Sequence, residues 1–202
     1  MNAPTRQDII LAGVGGQGIL SVAAAIAGAA LKLGLNVKQA EVHGMAQRGG
    51  AVQSHLRLSG ERIWSDLIPR GGADLILAVE PLEALRYLDY LSPEGRVVAA
   101  AKPVVNIPDY PPLDEVLAEV RRIPGSLVVE AEDLAKRAGT SRAQNVVILG
   151  AASRYLIVEA AGLRETLREL FAHRGEGILA ANLRAFDLGR GETDGHPFSG
   201  HR

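Results

Sequence analysis

The sequence predicts a three-layer α/β domain with a mostly parallel β-sheet, a short antiparallel insertion at about residues 49–65 and a helical extension at the C-terminus. Short apolar runs that end at glycine or proline alternate with helical segments through the first half of the chain, as in βαβ units. One run alternates apolar and polar residues with period two. From residue 131 to residue 188 every signal is helical. The 202 residues, 47% of them hydrophobic, are sufficient for one full core.

The first part of the chain follows the pattern strand, helix, strand. Asp-Ile-Ile-Leu-Ala at residues 8–12 is a short apolar run, typical of a strand buried on both faces. Residues 19–33 are rich in Ala, Leu and Ile, and the glycine that follows favours the left-handed turn at which helices commonly end. A second strand is predicted at 36–42, and a half-exposed third strand at 51–58, where apolar and polar side chains alternate. Residues 62–65 are expected to return as its short antiparallel partner.

A second βαβ unit follows, and then helices only. Its strands and helices are predicted at residues 73–79, 81–91, 96–101, 113–122 and 126–130, with Ser-Pro-Glu-Gly at 92–95 as a turn. Four more helices are predicted at residues 131–138, 144–161, 163–173 and 177–188. We therefore predict a single domain over residues 1–188, in which 131–188 is the helical extension, followed by a flexible glycine-rich tail at 189–202.

Charge and cysteine content exclude several classes of function. The 22 basic and 23 acidic residues give a formal net charge of -1, which lacks the positive excess that draws a chain to nucleic acid. Without cysteine, the chain cannot supply thiolates to an iron–sulfur cluster or a zinc ion, form a disulfide or provide a Cys nucleophile. No apolar stretch is long enough for a signal peptide or a membrane span, so we expect a cytoplasmic protein with no membrane contact.

A glycine cluster, Gly13-Val-Gly-Gly-Gln-Gly18, lies between the first predicted strand and the first helix, the context of a Rossmann-like dinucleotide-binding loop. Gly13 permits a tight turn, Gly15 lets a phosphate or another backbone come close, and Gly18 lets the helix pack on the sheet. With Gly16 and Gln17, these residues form the first candidate binding site, because the start of a helix attracts anions. The alternative is a tight β–α connection that binds nothing.

Polar residues at the end of the second predicted strand form the second candidate site. Glu41 lies where an acidic residue would bind the ribose of a dinucleotide. His43, Gln47 and Arg48 follow in a polar, glycine-bearing turn, and the planar guanidinium of Arg48 suits a carboxylate or a phosphate. These three are candidates for direct contact with a bound ligand. A structural use, in which they satisfy buried carbonyls between strands, is the favoured interpretation.

The remaining polar residues are assigned structural roles. Glu80 and Glu83 lie at the C-terminal edge of a predicted parallel strand, where open α/β sheets bind ligands, but Glu80 precedes a proline and is expected to cap the helix that begins there. Asn145 is expected to cap a later helix. His55 is expected to be packed or solvated, since no second histidine lies at metal-binding spacing. We therefore expect no metal site.

Several motifs in combination resemble the gamma-type domain of the 2-oxoacid:ferredoxin oxidoreductases. They are Gly13-Val-Gly-Gly-Gln-Gly-Ile-Leu20, Glu41-Val-His-Gly-Met-Ala-Gln-Arg-Gly-Gly-Ala-Val-Gln-Ser-His-Leu-Arg57, and the segments 72–86, 145–152 and 182–189. The glycine cluster and Gln-Arg-Gly-Gly are specific together, whereas either alone would be a weak signal. The resemblance covers nearly the whole chain, and within the family it is strongest for the subunits that act on indolepyruvate.

This resemblance implies a subunit of an enzyme that oxidatively decarboxylates an aryl pyruvate, such as indolepyruvate, with coenzyme A and ferredoxin. In the family a larger alpha subunit holds thiamine diphosphate and the iron–sulfur clusters, and the lack of cysteine here agrees with that division. The chain would complete the active-site wall and bind part of coenzyme A, or the partner, through residues 13–18 and Gln47-Arg48. It would hold no cofactor of its own, and it could form a homodimer when isolated.

Two other functions remain open from the sequence. The first is a free-standing oxidoreductase with NAD or FAD on the glycine cluster and Glu41 on the ribose. The second is a scaffold subunit whose glycine cluster contacts only the backbone of a partner. Saturable binding of a nucleotide by the isolated chain distinguishes the first from the second.

Overall fold

The structure is a computed structural model that describes residues 6–43, 50–105 and 107–191. Its strands are β1 (Arg6–Val14), β2 (Asn36–His43), β3 (Ala51–Ser59), β4 (Ala73–Ala78), β5 (Leu91–Ala100) and β6 (Leu127–Val129). Its helices are α1 (Ile19–Lys32), α2 (Pro81–Arg86), α3 (Leu113–Arg122), α4 (Ala131–Ala138), α5 (Gln144–Ala152), α6 (Ala160–Phe171) and α7 (Glu176–Gly191). The strands form one six-stranded sheet in the order β2-β3-β1-β4-β5-β6.

The sheet is mostly parallel, which confirms the predicted fold class. Strands β1, β4, β5 and β6 pair in parallel, whereas β3 runs antiparallel to both of its neighbours, β1 and β2. Because β1 and β2 are both antiparallel to β3, β2 points in the same direction as the parallel strands. The antiparallel element is therefore a single strand inside the sheet.

Helices cover both faces of the sheet. On one face Ile9 and Leu11 of β1 belong to a core formed with α1, α4, α5, α6 and α7. On the other face Ile10 and Ala12 belong to a smaller core formed with α2 and α3. This alternation is expected of a strand that is buried on both faces. Among the described helices, none combines the length and apolar character needed to cross a bilayer.

The prediction of a half-exposed strand at residues 51–58 is wrong in its exposure. Gln53, Ser54, His55 and Leu56 of β3 are all buried, because helices cover one face of the strand and the segment 65–68, which hydrogen-bonds to Arg57 and His55, covers the other. The polar residues that produced the alternation are accommodated by internal hydrogen bonds. The short partner strand predicted at 62–65 is also wrong, since these residues form no strand.

Several predicted boundaries in the rest of the chain also differ from the structure. Helix α2 ends at Arg86, and β5 begins at Leu91, so the turn expected at residues 92–95 lies within a strand. The helix expected at 144–161 ends at Ala152. Helix α7 continues through Gly191, so the first residues of the expected tail are helical. The rest of that tail lies outside the described residues.

A single buried glutamine explains why the long C-terminal helix is interrupted. The Gln7 side chain of β1 donates to the Tyr155 carbonyl at 2.5 Å and accepts from the Ile157 N–H at 3.0 Å. These bonds tie the turn and the bends that follow α5 to strand β1. Ser153 ends the helix by donating its hydroxyl to the Gly150 carbonyl at 2.7 Å. A contact with a residue 148 positions away has overridden the local helical preference.

Candidate functional site

The candidate site lies where the strand order reverses, between the C-terminal ends of β1 and β4. From β1 the chain passes through α1 to β2 on one side of the sheet, and from β4 it passes through α2 to β5 on the other side. In open α/β sheets a crevice opens at such a point, and ligands bind there. The glycine cluster follows β1 directly, so the structure places it at this crevice.

Gln17 closes the crevice at its base. Its Oε1 accepts a hydrogen bond from the Val14 N–H at 2.7 Å, and its Nε2 donates to the Val79 carbonyl at 3.0 Å. The side chain thus joins the end of β1 to the residue that follows β4. Both polar atoms of the amide are engaged with backbone, so Gln17 acts as a structural link between the two strands.

Two glycines of the cluster make room for side chains of the protein itself. A Cβ on Gly13 would lie 2.8 Å from both Gln17 Oε1 and Ile19 Cδ1. A Cβ on Gly18 would lie 2.6 Å from Asn145 Nδ2, and Gly18 also has a φ of +75°. Gly16 is different, because it is exposed and nothing lies within 4 Å of the corresponding position. The open part of the cluster is therefore at Gly16.

Asn145 connects the glycine cluster to the C-terminal helices. Its Nδ2 donates to the Gly18 carbonyl at 2.9 Å, across 127 positions of sequence. The predicted capping role is wrong, since α5 begins after Ala143 without a side-chain cap. Gly18 N-caps α1, also without a side-chain bond. This one bond brings the beginning of α5 to the beginning of α1.

Gly15 meets the second candidate segment through its backbone. The Gly15 N–H donates to the Gly50 carbonyl at 2.9 Å, so another backbone approaches this glycine closely. Strand pairing places both His43 and Gly13 opposite Val52, so β2 ends and β3 begins at the edge of the sheet that carries the glycine cluster. The side chain of His43, and Gln47 and Arg48 entirely, lie outside the described residues.

Glu41 lies away from the glycine cluster. It is opposite Ser54 of β3, which is in turn opposite Leu11 of β1. Two strand spacings of about 4.8 Å separate Glu41 from β1, whereas a Rossmann fold has its ribose-binding strand next to β1. The insertion of β3 into the sheet is the physical reason for this separation.

A cleft of about 1110 Å³ opens beside the glycine cluster. Its walls come from residues 16–18 of the cluster, from the segment 139–145 and from the region 171–182, together with Ser21, Val79 and Val104. Three helix beginnings contribute to it: those of α1, of α5 with its preceding 3-10 turn (Ser141–Ala143), and of α7. The first amides of a helix lack partners within the helix and favour anions.

Two arginines line this cleft, and no acidic residue does among those described. Arg142 lies in the 3-10 turn before α5, and Arg174 lies in the turn before α7. Phe171 and Ile178 add apolar surface near Arg174, and Val79 and Val104 add it near the glycine cluster. The cleft therefore suits an anionic ligand that also carries apolar or aromatic groups.

A buried pair of carboxylates lies behind the Val79 side of the cleft. Glu80 caps α2, as predicted, by accepting from the Glu83 N–H at 2.8 Å. Its other oxygen accepts from the Tyr110 hydroxyl at 2.5 Å. Burial raises the pKa of Glu83, and Glu80 adds to that effect, while Arg86 offsets part of it. Burial and the bond to Glu80 raise the pKa of Tyr110.

His55 is a packed side chain and lies away from the cleft. Its Nδ1 accepts from the Ile68 N–H at 3.0 Å, its Nε2 lies 2.9 Å from Gln53 Nε2, and its ring contacts Tyr90 edge to face. Burial lowers its pKa, and the positive charge of Arg57 adds to the effect. Across residues 6–43, 50–105 and 107–191, no three His, Asp or Glu residues lie close enough together to hold a metal ion.

Sequence reasoning missed most of the residues that form the cleft. Arg142 and Arg174 belong to no motif, and Asn182 was noted only as the first residue of the segment 182–189, without a role in a site. All three reach the cleft because α5 and α7 pack on the same face of the sheet as α1. One signal was present, since the basic residues precede two predicted helix starts, where an anion would also be stabilised.

Comparison with known proteins identifies relatives over most of the chain. Residues 8–192 match the family described as pyruvate ferredoxin/flavodoxin oxidoreductase. The chain is 39% identical to the indolepyruvate oxidoreductase subunit IorB of Archaeoglobus fulgidus, over 91% of this chain and 94% of that one. It is 40% identical to the subunit of the same name from Methanothermobacter thermautotrophicus, over 91% of this chain and 96% of that one.

Solved structures share the fold. The 2-oxoglutarate:ferredoxin oxidoreductase of Magnetococcus marinus, solved with 2-oxoglutarate, coenzyme A and succinyl-CoA bound, matches with a TM-score of 0.74 at 26% identity, over 94% of this chain and 31% of that one. The gamma subunit of a keto/oxoacid ferredoxin oxidoreductase from Geobacter sulfurreducens matches with a TM-score of 0.66 at 23% identity, over 92% of this chain and 97% of that one. By its match over residues 8–192 and its similarity to full-length relatives, the chain belongs to the pyruvate ferredoxin/flavodoxin oxidoreductase family.

Proposed function

We propose that this chain is the smaller subunit of a 2-oxoacid:ferredoxin oxidoreductase that acts on an aryl pyruvate such as indolepyruvate. The observation that carries the proposal is its identity of 39–40% to two indolepyruvate oxidoreductase subunits, over 94–96% of their lengths. A family member of another specificity shares less, as the 26% identity to the 2-oxoglutarate enzyme illustrates. The enzyme class in this proposal therefore rests on the family, and the substrate rests on the more similar relatives.

In the proposed reaction the bond between the carboxylate and the carbonyl carbon of the 2-oxoacid breaks and releases carbon dioxide. The acyl group forms a thioester with coenzyme A, whose thiol releases its proton to solvent. The electron pair left by decarboxylation leaves one electron at a time, so that two ferredoxin molecules are reduced for each 2-oxoacid consumed. Thiamine diphosphate, when bound by the larger subunit, supplies the carbanion-stabilising chemistry. The iron–sulfur clusters also belong to that subunit in this proposal, because the present chain has no cysteine.

The part of this chain is to hold coenzyme A beside the partner's active site. The ligand carries several phosphates and an aromatic base at one end and a slender arm with a thiol at the other. Arg142, Arg174 and the three helix beginnings suit the phosphates, and Phe171 offers a surface for the base. The solved structure of the Magnetococcus marinus enzyme contains coenzyme A, which supports the choice of ligand.

Two observations weigh against NAD or FAD as the ligand of the glycine cluster. Gln17 occupies the crevice at the strand reversal with its own amide. Glu41, the residue proposed to bind a ribose, is separated from β1 by an intervening strand. We therefore prefer the proposal in which the open side of the cluster, at Gly16, faces coenzyme A in the neighbouring cleft.

The proposal is tested by co-expression with the cysteine-bearing larger subunit. The purified complex is assayed for ferredoxin reduction with indolepyruvate, phenylpyruvate, pyruvate and 2-oxoglutarate, each with and without coenzyme A. We expect the highest kcat/KM for an aryl pyruvate and a requirement for coenzyme A. A larger subunit that is stable and fully active without this chain contradicts the proposal. Calorimetric titration of the complex with NAD and FAD should give no saturable heat, and saturation by either would support the alternative function.

A further inference from the structure

Glu80 makes more hydrogen bonds than a helix cap requires. The residue is 1% exposed and lies between the end of β4 and the start of α2. Its Oε2 accepts from the Glu83 N–H at 2.8 Å, which is the capping bond. Its Oε1 accepts from the Tyr110 hydroxyl at 2.5 Å and from the Val104 N–H at 3.4 Å. A buried carboxylate is costly unless hydrogen bonds compensate for the lost water. The bonds to Tyr110 and Val104 provide this compensation, and they also attach a second segment of the chain to Glu80.

The two additional bonds lead to the connection between β5 and α3. Val104 and Tyr110 both belong to this connection, which also contains four prolines, Pro103, Pro108, Pro111 and Pro112. The segment has no strand partner at Val104, so the Glu80 carboxylate fixes it at two points. Val104 lines the cleft together with Val79, the residue immediately before Glu80.

Val79 is itself fixed from the other side. Its carbonyl accepts from Gln17 Nε2, and its N–H donates to the Ala12 carbonyl at 2.9 Å. The apolar wall formed by Val79 and Val104 is therefore held between Gln17 of the glycine cluster and the carboxylate of Glu80. None of these bonds requires a ligand, so the wall is formed in advance of binding.

We propose that Glu80 is a positioning residue that, through Tyr110 and the Val104 amide, sets the apolar Val79–Val104 wall against the slender arm of coenzyme A. The inference rests on the proposed function and adds which part of the ligand meets which wall. The phosphates require the cationic side of the cleft, at Arg142 and Arg174, so the arm extends along another wall. The Val79–Val104 wall lies at the C-terminal edge of the sheet. Val79 is almost fully buried, and the exposed side chain of Val104 presents the apolar surface that suits the methyl-bearing arm.

The test uses the assembled complex with Tyr110→Phe and Glu80→Gln. Tyr110→Phe removes only the hydroxyl, and Glu80→Gln keeps the size while turning one acceptor into a donor. Each should raise KM for coenzyme A about tenfold, with KM for the 2-oxoacid and kcat at saturating coenzyme A changed less than about twofold. Tyr90→Phe is the control, because this half-buried tyrosine contacts His55 and lies away from the cleft.

A double-mutant cycle separates positioning from general stabilisation. Val104→Ala removes the wall itself, so its effect on KM for coenzyme A should not add to that of Tyr110→Phe. Additive effects, equal increases in KM for both substrates, or unchanged values in both Tyr110→Phe and Glu80→Gln overturn the inference. A parent complex whose rate shows no saturable dependence on coenzyme A overturns the proposed function and this inference together. If the rate of the parent complex saturates with coenzyme A and the variants have the same KM for coenzyme A as the parent, only the inference is overturned.

Discussion

At the scale of single residues, the glycine cluster separates into positions with different physical roles. Gly13 and Gly18 are required by contacts inside the protein, with Gln17 and Asn145, whereas Gly16 is open. The sequence predicted the loop and its place after β1 because those depend on local pattern. It did not predict the partner of Gly18, since Asn145 is 127 residues away. The capping role of Glu80 was predictable because its carboxylate and the N–H that donates to it are only three residues apart.

Replacing Gly18 by alanine should cost more stability than the same change at Gly16. Both glycines have positive φ, so each alanine carries a backbone penalty of about 1–2 kcal/mol. At Gly18 the new Cβ would also displace the Asn145 amide and break its bond to the Gly18 carbonyl, which adds about 1 kcal/mol or more. Urea unfolding of the two variants measures the difference. In an Asn145→Ala background the difference between the two glycine variants should vanish. Equal losses of stability in the parent background would contradict the contact between Gly18 and Asn145.

His55 should make the stability of the fold depend on pH. Its Nδ1 must be unprotonated to accept from the Ile68 N–H, and burial with the nearby charge of Arg57 lowers its pKa below the ordinary value of 6.5. The unfolded chain then binds a proton that the folded chain does not. The contribution of the neutral ring is complete above pH 6.5 and decreases as the pH falls from there toward the lowered pKa.

The measurement is the urea midpoint at about pH 8 and about pH 5.5, for the parent chain and for His55→Gln. The parent should lose stability between these two conditions, and the variant should lose less. His173→Gln is the control, because this histidine is exposed in the turn before α7. A parent and a His55→Gln variant with the same pH dependence would show that His55 is not responsible.

At the scale of elements, local periodicity predicted most strands and helices but not their neighbours. The alternation in β3 was interpreted as one solvated face, yet the strand lies inside the sheet and its polar residues are paired. Periodicity reports polarity and not burial, and the polar face of β3 is buried because the segment 65–68 packs on it. Continuous apolar character in α5 did indicate burial, and every residue from Asn145 to Ala152 is buried.

The crossing of α5 and α7 depends on two glycines. A Cβ on Gly150 would lie 2.1 Å from the Phe186 carbonyl oxygen, and a Cβ on Gly189 would lie 2.0 Å from the Val147 carbonyl oxygen. Because the opposing atoms are backbone, the helices would have to separate. Gly150→Ala and Gly189→Ala should each lower the free energy of unfolding by about 3 kcal/mol.

The matched control for this crossing is Gly162→Ala in α6. A Cβ there meets only Ala29 Cβ, at an ordinary 3.8 Å, so helix propensity dominates and the variant should gain about 0.5–1 kcal/mol. Thermal unfolding of the three variants tests the contrast. Similar small effects at all three positions would mean that the helices are not in close backbone contact.

At the scale of the whole molecule, the site is formed by segments that are distant in sequence. The glycine cluster comes from the first strand connection, and the arginines come from turns before α5 and α7. The sequence predicted the first component and the fold that carries it. It did not predict the cleft, because the packing of three helices on one face of the sheet decides which of their beginnings meet. The family resemblance identified the enzyme class without identifying these residues.

The distribution of charge leads to a prediction about salt. The chain as a whole has a formal net charge of -1, so it does not attract an anion at long range. The cleft, by contrast, has Arg142 and Arg174 and no acidic residue among those described. In the assembled complex, Arg142→Ala and Arg174→Ala should each raise KM for coenzyme A about five- to tenfold, because each removes a charge-assisted contact with a phosphate.

The same contacts should make KM for coenzyme A rise with salt concentration. A double variant that combines Arg142→Ala and Arg174→Ala should show a smaller rise, because fewer opposite charges remain to be screened. KM for the 2-oxoacid serves as the internal reference. Arg70→Ala is the control, since this side chain is 78% exposed and lies in the turn before β4, at the opposite edge of the sheet from the cleft. If the double variant and Arg70→Ala show the same salt dependence as the parent, the phosphates of coenzyme A bind elsewhere in the complex and the cleft of this chain is not their site.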